Sequence, residues 1–364
     1  MYIHKFFKMH NLNEILFFTI FLLFISVILI IDLGLFNKKN HVISLKESLM
    51  WTILWISFAL GFYVLIITHG NLIHGISNLE ELKQVIQNYQ HPINIEGMPY
   101  AQALKLYENN LGLEYLTGYI IEYALSIDNV FVMIVIFMAF GVKKAYYHRI
   151  LFWGIFGAIV MRFIFIFTAS ALIQEFSWIL YVFGVLLVFT GVKMFYTRNQ
   201  SEKVDTDSHP VVRLASRYFS VAKNYEGPHF FTRIDGKKMI TPLFLVLLVI
   251  EFTDVIFAVD SVPAIFSITH DPYIVFFSNI FAIIGLRSLF FLLSNAIGYF
   301  RFLKIGLSVL LTFIGVKLLA HHWLEHIGFK TSHSLFIVLG ILLSSILLSI
   351  LIPDPEQKKR SLPQ

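Results

Sequence analysis

The chain has 364 residues, of which 57% are hydrophobic and 14% are charged, and its mean hydropathy is +0.74. Soluble domains carry about 25% charged residues, so this composition excludes a soluble protein with a single anchor and indicates a polytopic membrane protein. The absence of Cys excludes disulfides, thiolate metal sites, iron–sulfur clusters and cysteine nucleophiles. The formal net charge of +5 lies in the loops, so it does not indicate nucleic-acid binding.

Nine apolar segments are long enough to cross a bilayer, since a transmembrane helix needs about 20 mostly apolar residues. They are 14–36, 49–69, 115–140, 148–173, 177–196, 241–269, 273–294, 302–321 and 334–352. The first follows Lys5 and Lys8, as in a signal peptide, but it lacks a small-residue cleavage site and is predicted to be retained. The predicted fold class is therefore all-α, a polytopic transmembrane helical bundle of about nine spans.

Lys and Arg are distributed unevenly between the loops on the two sides of these spans. With the N-terminus outside, 19 of the 28 lie in inner loops, five lie in outer loops and four lie within spans. Because Lys and Arg accumulate in cytoplasmic loops, the sequence predicts a multi-pass protein of the inner (plasma) membrane with its N-terminus outside and its C-terminus in the cytoplasm. A missed or extra span would reverse every segment downstream of it.

The chain is predicted to consist of six parts. They are two transmembrane helices in 1–69, an extracytoplasmic loop at 70–114, a three-helix repeat at 115–196, a basic cytoplasmic loop at 197–240, a second three-helix repeat at 241–321, and a last helix with its tail at 322–364. The outer loop is partly helical in pattern and contains His69, His74, His91, Glu80, Glu81 and Glu96. Metal capture is one interpretation of these residues, but no spacing among them stands out, so we expect a solvated loop. The basic loop contains an amphipathic stretch that lies either at the lipid surface or beneath the bundle.

The two predicted three-helix repeats share a sequence pattern. The segment from Glu122 to Val130 has an acid, five residues, an Asp, a small polar residue and Val, and the segment from Asp254 to Val262 has the same order. Arg162 and Lys193 follow the first copy, and the second copy has Arg287 and Lys317 at matching positions. Because three helices form an odd unit, the copies are predicted to have inverted topology, which places a shared site at their interface. A purely architectural repeat would not require its carboxylates.

The segment 241–269 carries three acids within an apolar run, Glu251, Asp254 and Asp260. Ionisable residues within a membrane span are costly and are functional candidates by default. Pro263 follows the last of these acids and is predicted to kink or break the helix beside Asp260, because proline lacks an N–H and clashes with the preceding turn. Broken helices next to carboxylates are typical of the ion sites of secondary transporters.

The intramembrane polar residues of both repeats supply only oxygen ligands. The candidate metal-binding residues are Glu122, Asp128, Asn129, Glu251, Asp254, Asp260 and Ser261, with Asn279 as a further candidate. On an ideal helix Glu122 shares a face with Asn129, and Asp254 shares one with Ser261, whereas Asp128 and Asp260 point about 120° away. Oxygen ligands suit hard cations such as Mg²⁺, Ca²⁺ and Mn²⁺.

The alternative interpretation is a structural network in which these acids pair with Arg162, Arg287, Lys193 and Lys317. Both lysines lie close to span ends, where their side chains can reach the interface. The two arginines then remain as deep supporting partners, and about three carboxylates are in excess, which must be protonated, hydrated or cation-bound. This excess favours a cation or proton pathway. Asp32, at the inner end of the first span, is predicted to be an interfacial cap.

The two acidic segments, GYIIEYALSIDNVFV and LVLLVIEFTDVIFAVDSVPAIF, resemble motifs of the TerC family of integral membrane proteins, including its manganese-exporting members. DPYIVFFSNIFAIIGLR, RILFWGIFGAIVMR, HPVVRL and IDGKKMITPLFLVL are also similar, and the resemblance covers nearly everything from Ile30 to Leu348. It implies a multi-spanning ion transporter, related to manganese and calcium exchangers, in which the paired acidic motifs bind the metal. This chain departs from many members in its long outer loop. The family's link to tellurite resistance implies an indirect phenotype here, because carboxylates repel an oxyanion.

These observations lead to three hypotheses of different classes. The first is export of a hard divalent cation, with Mn²⁺ as the leading candidate and Ca²⁺ or Mg²⁺ as others, with proton antiport as one coupling mode and no permanent cofactor. The second is a membrane scaffold or chaperone of a metal or tellurite stress-resistance complex, which would bind stress-response proteins through the 197–240 loop. The third, an intramembrane aspartyl protease using Asp128 and Asp260, lacks the Gly-x-Gly-Asp signature. We therefore expect no enzymatic activity.

Overall fold

The computed structural model of the chain describes residues 12–36, 44–176, 178–197, 209–222, 224–225, 227–234, 236–295, 302–320, 323–324 and 329–352. Within these residues the predicted all-α polytopic bundle is confirmed, with one added β-hairpin. The helices are α1 (Leu12–Phe36), α2 (Leu45–His69), α3 (Leu79–Tyr89), α4 (Tyr100–Ala139), α5 (Lys144–Glu175), α6 (Ile179–Thr197), α7 (Pro210–Tyr218), α8 (Pro242–Phe266), α9 (Pro272–Ile284), α10 (Leu286–Asn295), α11 (Leu303–Leu319) and α12 (Thr331–Leu351). The strands are β1 (Phe231–Ile234) and β2 (Lys237–Ile240).

All nine predicted apolar segments coincide with helices. In the described part of the chain seven helices are long and apolar enough to cross a membrane: α1, α2, α4, α5, α6, α8 and α12. An eighth span results when α9 and α10 are taken as one helix bent by 40° at Gly285. Helix α11 has 17 residues, which is slightly short of the length that usually crosses the hydrocarbon layer.

Helix α4 is much longer than the predicted span. It begins at Tyr100 after its N-cap Pro99 and runs for 40 residues, which is about 60 Å of helix. The last third of the predicted outer loop, residues 100–114, is therefore the first part of this helix. The remainder of that loop contains α3, whose N-cap Asn78 accepts a hydrogen bond from the N–H of Glu81 at 2.9 Å.

The predicted break beside Asp260 is wrong. Helix α8 continues past Asp260 and through Pro263, and it ends at Phe266. Pro263 lies in the last turn, so the backbone hydrogen bond that it cannot form is lost only where the helix is about to end. The break in this half of the chain lies at Gly285, between α9 and α10.

Helices α6 and α11 pack closely and run antiparallel along a row of small residues. A Cβ on Gly191 would lie 2.8 Å from the Ser308 carbonyl oxygen, and one on Gly315 would lie 2.7 Å from the Gly184 carbonyl oxygen. Glycines let helix backbones approach in this way in membranes. These two helices are the third members of the two predicted repeats, and their antiparallel packing is what inverted copies require of this pair. The inverted repeat as a whole stays a prediction.

The end of the bundle where α8 begins carries the helix α7 and the β-hairpin. Strand β1 pairs antiparallel with β2, with Phe231 opposite Ile240. The amphipathic α7 buries Ala215 against Ile240 and Leu245, so this stretch packs beneath the bundle as well as presenting an exposed face. The sequence analysis did not predict the strands. Residues 198–208 of the same loop lie outside the described residues.

Candidate ion site

Four helices bring polar side chains together in the middle of the bundle. Glu122 comes from α4, Arg162 from α5, Asp254 and Ser261 from α8, and Asn279 from α9. Asp254 is the central residue of the 25-residue helix α8. All five side chains are buried, and Arg162 and Glu122 have no exposed surface. We call these five residues the central cluster.

The Arg162 guanidinium forms the hub of the central cluster. Its Nη1 donates hydrogen bonds to Glu122 Oε1, to Asn279 Oδ1 at 2.5 Å and to Ser261 Oγ at 3.4 Å. Its Nη2 donates to Asp254 Oδ1 at 3.4 Å. Asn279 Nδ2 in turn donates to Glu122 Oε2 at 3.2 Å. A single cationic nitrogen is thus surrounded by carboxylate, amide and hydroxyl oxygens from three other helices.

The central cluster is not fully satisfied. Asp254 Oδ2 and Arg162 Nε are buried and form no hydrogen bond with any residue that the structure describes. A cavity of about 10 Å³ lies against Asp254 and is otherwise lined by apolar groups such as Met133, Leu151 and Ile283. That volume is about the size of one water-sized sphere. The cluster therefore has a carboxylate oxygen beside a small space.

Glu251 lies next to the central cluster rather than within it. It precedes Asp254 by three residues on α8, so the two side chains share one face of that helix. The Glu251 carboxylate lies directly against Gly157 of α5, at the place where any Cβ would project. Gly157 thus makes room for a half-buried carboxylate beside Asp254.

Of the remaining predicted residues, Asn129 and Arg287 are buried, and Asp128 and Asp260 are half-buried. Asn129 is 3% exposed, and its Nδ2 donates no hydrogen bond. Asp128 is half-buried on α4, and Arg287 is buried on α10. Asp260 accepts a hydrogen bond from Thr190 Oγ1 of α6 at 3.1 Å. Thr190 was not predicted, because a threonine in an apolar span carries no signal of its partner.

The arrangement bears on both interpretations of the intramembrane acids. Arg162 pairs with Glu122 and Asp254, as the structural network requires for these two acids. Within the ranges that the structure describes, no three or more His, Asp or Glu side chains are arranged to hold a metal ion. The assignment of the seven oxygen-bearing residues to a metal therefore stays a prediction. The side chain of Asp32 lies outside the described residues.

The two repeat lysines are placed differently from one another. Lys193 is exposed near the end of α6, as the sequence analysis expects. Lys317 instead turns inward, where its Nζ donates to the Ser267 carbonyl oxygen at 2.7 Å. This carbonyl belongs to the C-cap of α8, immediately after the turn that contains Pro263. Lys317 therefore caps a helix end instead of reaching the membrane surface.

The expectation that the outer loop is solvated is wrong for two of its histidines. His74 and His91 are only 6% and 5% exposed, because the loop folds back onto α4 and the link between α8 and α9. There they meet two buried carboxylates, Glu114 and Asp271. We call these four residues the histidine cluster. The sequence carried no spacing signal for it, since its members lie far apart along the chain.

The fold and the central cluster define a polytopic membrane protein with a buried, charged polar site shared by four helices. A family model described as "Integral membrane protein TerC family" matches residues 107–358. This match covers more than half of the chain and includes every residue of the central cluster. The protein belongs to the TerC family, as the sequence motifs predicted.

Several bacterial proteins are similar to this chain over most of their length. A protein of Myxococcus xanthus named "Uncharacterized membrane protein STKORF319" is 39% identical over 91% of both chains. A protein of Escherichia coli K12 named "Putative membrane-bound redox modulator Alx" is 36% identical over 93% of this chain and 96% of its own. A membrane protein of Rickettsia bellii is 36% identical over 93% and 97%. No solved structure matches the chain.

Proposed function

We propose that this protein transports a hard divalent cation across the membrane, with Mn²⁺ as the leading substrate, through the central cluster. Export is the direction implied by the resemblance to manganese exporters. The observation that carries the proposal is the oxygen cage around Arg162 Nη1, formed by Glu122, Asn279 and Ser261. This nitrogen occupies a position suited to a cation. The arginine side chain can move out of that position and make room for another cation.

The cage has the ligand chemistry of a hard-ion site. Glu122, Asp254, Ser261 and Asn279 together offer six side-chain oxygens. Sites with six oxygen ligands are typical of Mg²⁺, Ca²⁺ and Mn²⁺. In the proposed cycle the cation takes the place of Nη1, and the guanidinium moves aside while its charge stays within the site, because arginine does not lose its proton in proteins.

Formal charge suggests how such a cation would exchange with protons. Glu122, Asp254 and Glu251 contribute three negative charges when ionised, and Arg162 contributes one positive charge, so the group has a formal charge of −2. One divalent cation or two protons would each make it neutral. Because a charged group in a low-dielectric interior is costly, we propose exchange of one divalent cation for two protons. Asp260 and Asp128 are the further predicted acids along the path.

The test is metal uptake into proteoliposomes with Mn²⁺, Ca²⁺ and Mg²⁺ as parallel substrates and a proton gradient of either sign. The expected result is a flux that the gradient drives and that Glu122→Gln and Asp254→Asn abolish. The Asp128→Asn/Asp260→Asn double variant is also expected to lose flux while still inserting. Glu175→Gln, which changes an exposed carboxylate at the end of α5, is the matched control and should retain full flux.

The coupling is tested by clamping the membrane potential during uptake. Exchange of one divalent cation for two protons moves no net charge, so the rate should not depend on the clamped potential. A rate that follows the potential would contradict this stoichiometry and leave transport itself intact. No flux with any of the three cations would overturn the transport proposal.

The scaffold hypothesis remains the alternative, and a similar protein bears the name of a redox modulator. The chain has no Cys, so thiol redox chemistry cannot come from its own side chains. The basic loop presents exposed aromatic residues, including Tyr218 and Phe231, on which a partner could bind. Deleting α7 and the hairpin distinguishes the two hypotheses. A folded transporter would keep its metal flux, whereas a scaffold would lose its binding surface.

A further inference from the structure

Three of the chain segments that contribute to the central cluster also reach the histidine cluster. Each segment contributes one residue to the central cluster and another residue, eight positions away, that belongs to the histidine cluster or contacts it. The pairs are Glu122 and Glu114 in α4, Ser261 and Thr269 in α8 and the link that follows it, and Asn279 and Asp271 in α9 with its N-cap. Eight residues of helix span about 12 Å. If the segments separated at the histidine cluster, the movement would therefore be transmitted to the central cluster by two rigid helices, α4 and α9.

His91 joins the outer loop to two of these segments. Its Nδ1 lies 3.0 Å from Glu114 Oε1. The same carboxylate accepts hydrogen bonds from Thr269 Oγ1 at 2.6 Å and from Asn110 Nδ2 at 2.7 Å. Glu114 is thus the point where the loop, α4 and the α8–α9 link meet, and His91 is the loop's contribution to it.

Asp271 forms the second junction of the histidine cluster. Its Oδ1 accepts the N–H of Tyr273 at 2.9 Å and so caps α9. Its Oδ2 faces His74 Nε2 at 3.5 Å and His91 Nε2 at 4.0 Å. These three atoms are buried, and within the described part of the chain they form no hydrogen bond. An aspartate between two imidazoles in this way is stabilised when the imidazoles carry protons and loses that stabilisation when they do not.

The electrostatics agree with this geometry. Burial by itself would lower the pKa of His91, but the Glu114 and Asp271 carboxylates outweigh burial and raise it above the ordinary value. Burial would likewise raise the pKa of Asp271, but His74 and His91 hold it below the ordinary value. The stabilisation that protonated His91 gives to the folded cluster is therefore fully present below the ordinary histidine pKa of about 6.5. It is lost as the pH rises through the raised pKa of His91. The stabilisation that ionised Asp271 gives is present above pH 3.9 or so, the ordinary aspartate pKa being about 3.9. It is lost only in acid.

Other titratable groups surround the histidine cluster on every side. They are Glu14 of α1, Tyr89 of α3, Tyr107 and Glu108 of α4, Tyr273 of α9 and Lys317 of α11. Tyr107 Oη lies 3.2 Å from His74 Nδ1. His270 lies on the same link but directs its Nδ1 to Gln90 at 3.2 Å. Of the groups named here, the imidazoles of His74, His91 and His270 are those whose ordinary pKa lies between pH 5 and 8.

We propose that the histidine cluster is a proton-operated latch. Protonated His91 holds the 70–99 loop, α4 and the α8–α9 link together and closes this end of the path to the central cluster. Loss of that proton at alkaline pH releases the loop and opens that end. This assignment rests on the proposed transport function for its purpose, but the opening itself is observable without any transport.

The absence of Cys makes the latch directly testable, because a single introduced Cys is the only thiol. Ser278 is fully buried on α9, next to Asn279, and Ser278→Cys serves as the reporter. Ser220→Cys, an exposed position beside Ile240 of β2 and so at the opposite end of α8 from the α8–α9 link, serves as the reference. The measurement is the rate of alkylation by a water-soluble maleimide in purified full-length protein between pH 6 and pH 9, with each reporter rate divided by the reference rate.

The decisive comparison is made between variants at the same pH, because this cancels the thiolate fraction of the reporter. His91→Gln should label rapidly at every pH, and His91→Lys, which keeps its charge, should label slowly at pH 9. If the pKa of His91 differs by one unit between the closed and open states, the labelling rate of the reporter should change about tenfold. The matched control is His270→Gln, which removes a histidine from the same link and should follow the parent.

If the ratio of the Ser278→Cys rate to the Ser220→Cys rate, measured with both histidines present, does not change with pH, the latch is overturned. This result stands even if a His91 variant fails to fold. A His91→Lys reporter that labels like the parent at pH 9 would also overturn it. If EDTA opened the reporter at pH 6 and added Zn²⁺ or Mn²⁺ closed it, a metal site would replace the proton latch. Loss of flux in Glu122→Gln is measured separately, so failure of the latch and failure of the transport proposal are distinguishable.

Discussion

Removing the charge of Arg162 should destabilise the protein more than almost any other single substitution. The guanidinium contacts two carboxylates, Glu122 and Asp254, that are 0% and 2% exposed. Arg162→Met keeps much of the side-chain volume but leaves both carboxylates without their cation. Removing one partner of a buried ion pair costs about 3–5 kcal/mol, because the remaining charge stays buried and uncompensated. We expect a loss of this size in the free energy of unfolding.

The assay is reversible unfolding of the purified protein in mixed micelles, with helix content followed as SDS is added. Lys144→Met, an exposed position at the start of the same helix, is the control and should change stability little. Adding Glu122→Gln and Asp254→Asn to Arg162→Met should recover most of the loss, since replacing a whole buried ionic group by neutral residues is often close to neutral. A single Arg162→Met variant within about 1 kcal/mol of the parent would refute the charge-coupled cluster.

Three further substitutions test other parts of the structure. Gly191→Leu should destabilise the α6–α11 contact by about 1–3 kcal/mol in the same unfolding assay, because its side chain has no space against the α11 backbone, whereas Gly340→Leu, in open space, should not. Gly157→Ala should push the Glu251 carboxylate out of its position, and we expect slower Mn²⁺ flux in proteoliposomes; unchanged flux would remove Glu251 from the proposed path. Asp260→Asn should abolish flux without loss of insertion, which surface expression can check.

Part of the candidate site could be predicted because carboxylates are rare within apolar membrane spans. Carboxylates in apolar helices indicated Glu122 and Asp254, and the helical spacing placed Ser261 on the same face as Asp254, where both accept hydrogen bonds from Arg162. The same reasoning treated Asp128 and Asp260 as equal members, although Asp260 pairs with Thr190 instead. Spacing within one helix cannot show which neighbouring helix supplies the partner.

The sequence by itself determined the class of this protein, its helical segments and its family, because apolar length, composition and motifs are properties of contiguous residues. Only the tertiary structure decided that Arg162 lies at the hub of the central cluster, since four helices had to be placed before one guanidinium could meet their oxygens. It also decided that His91 is buried against Glu114, residues 23 positions apart. A loop rich in His and Glu is usually solvated, and packing against α4 and the α8–α9 link is what desolvates this one.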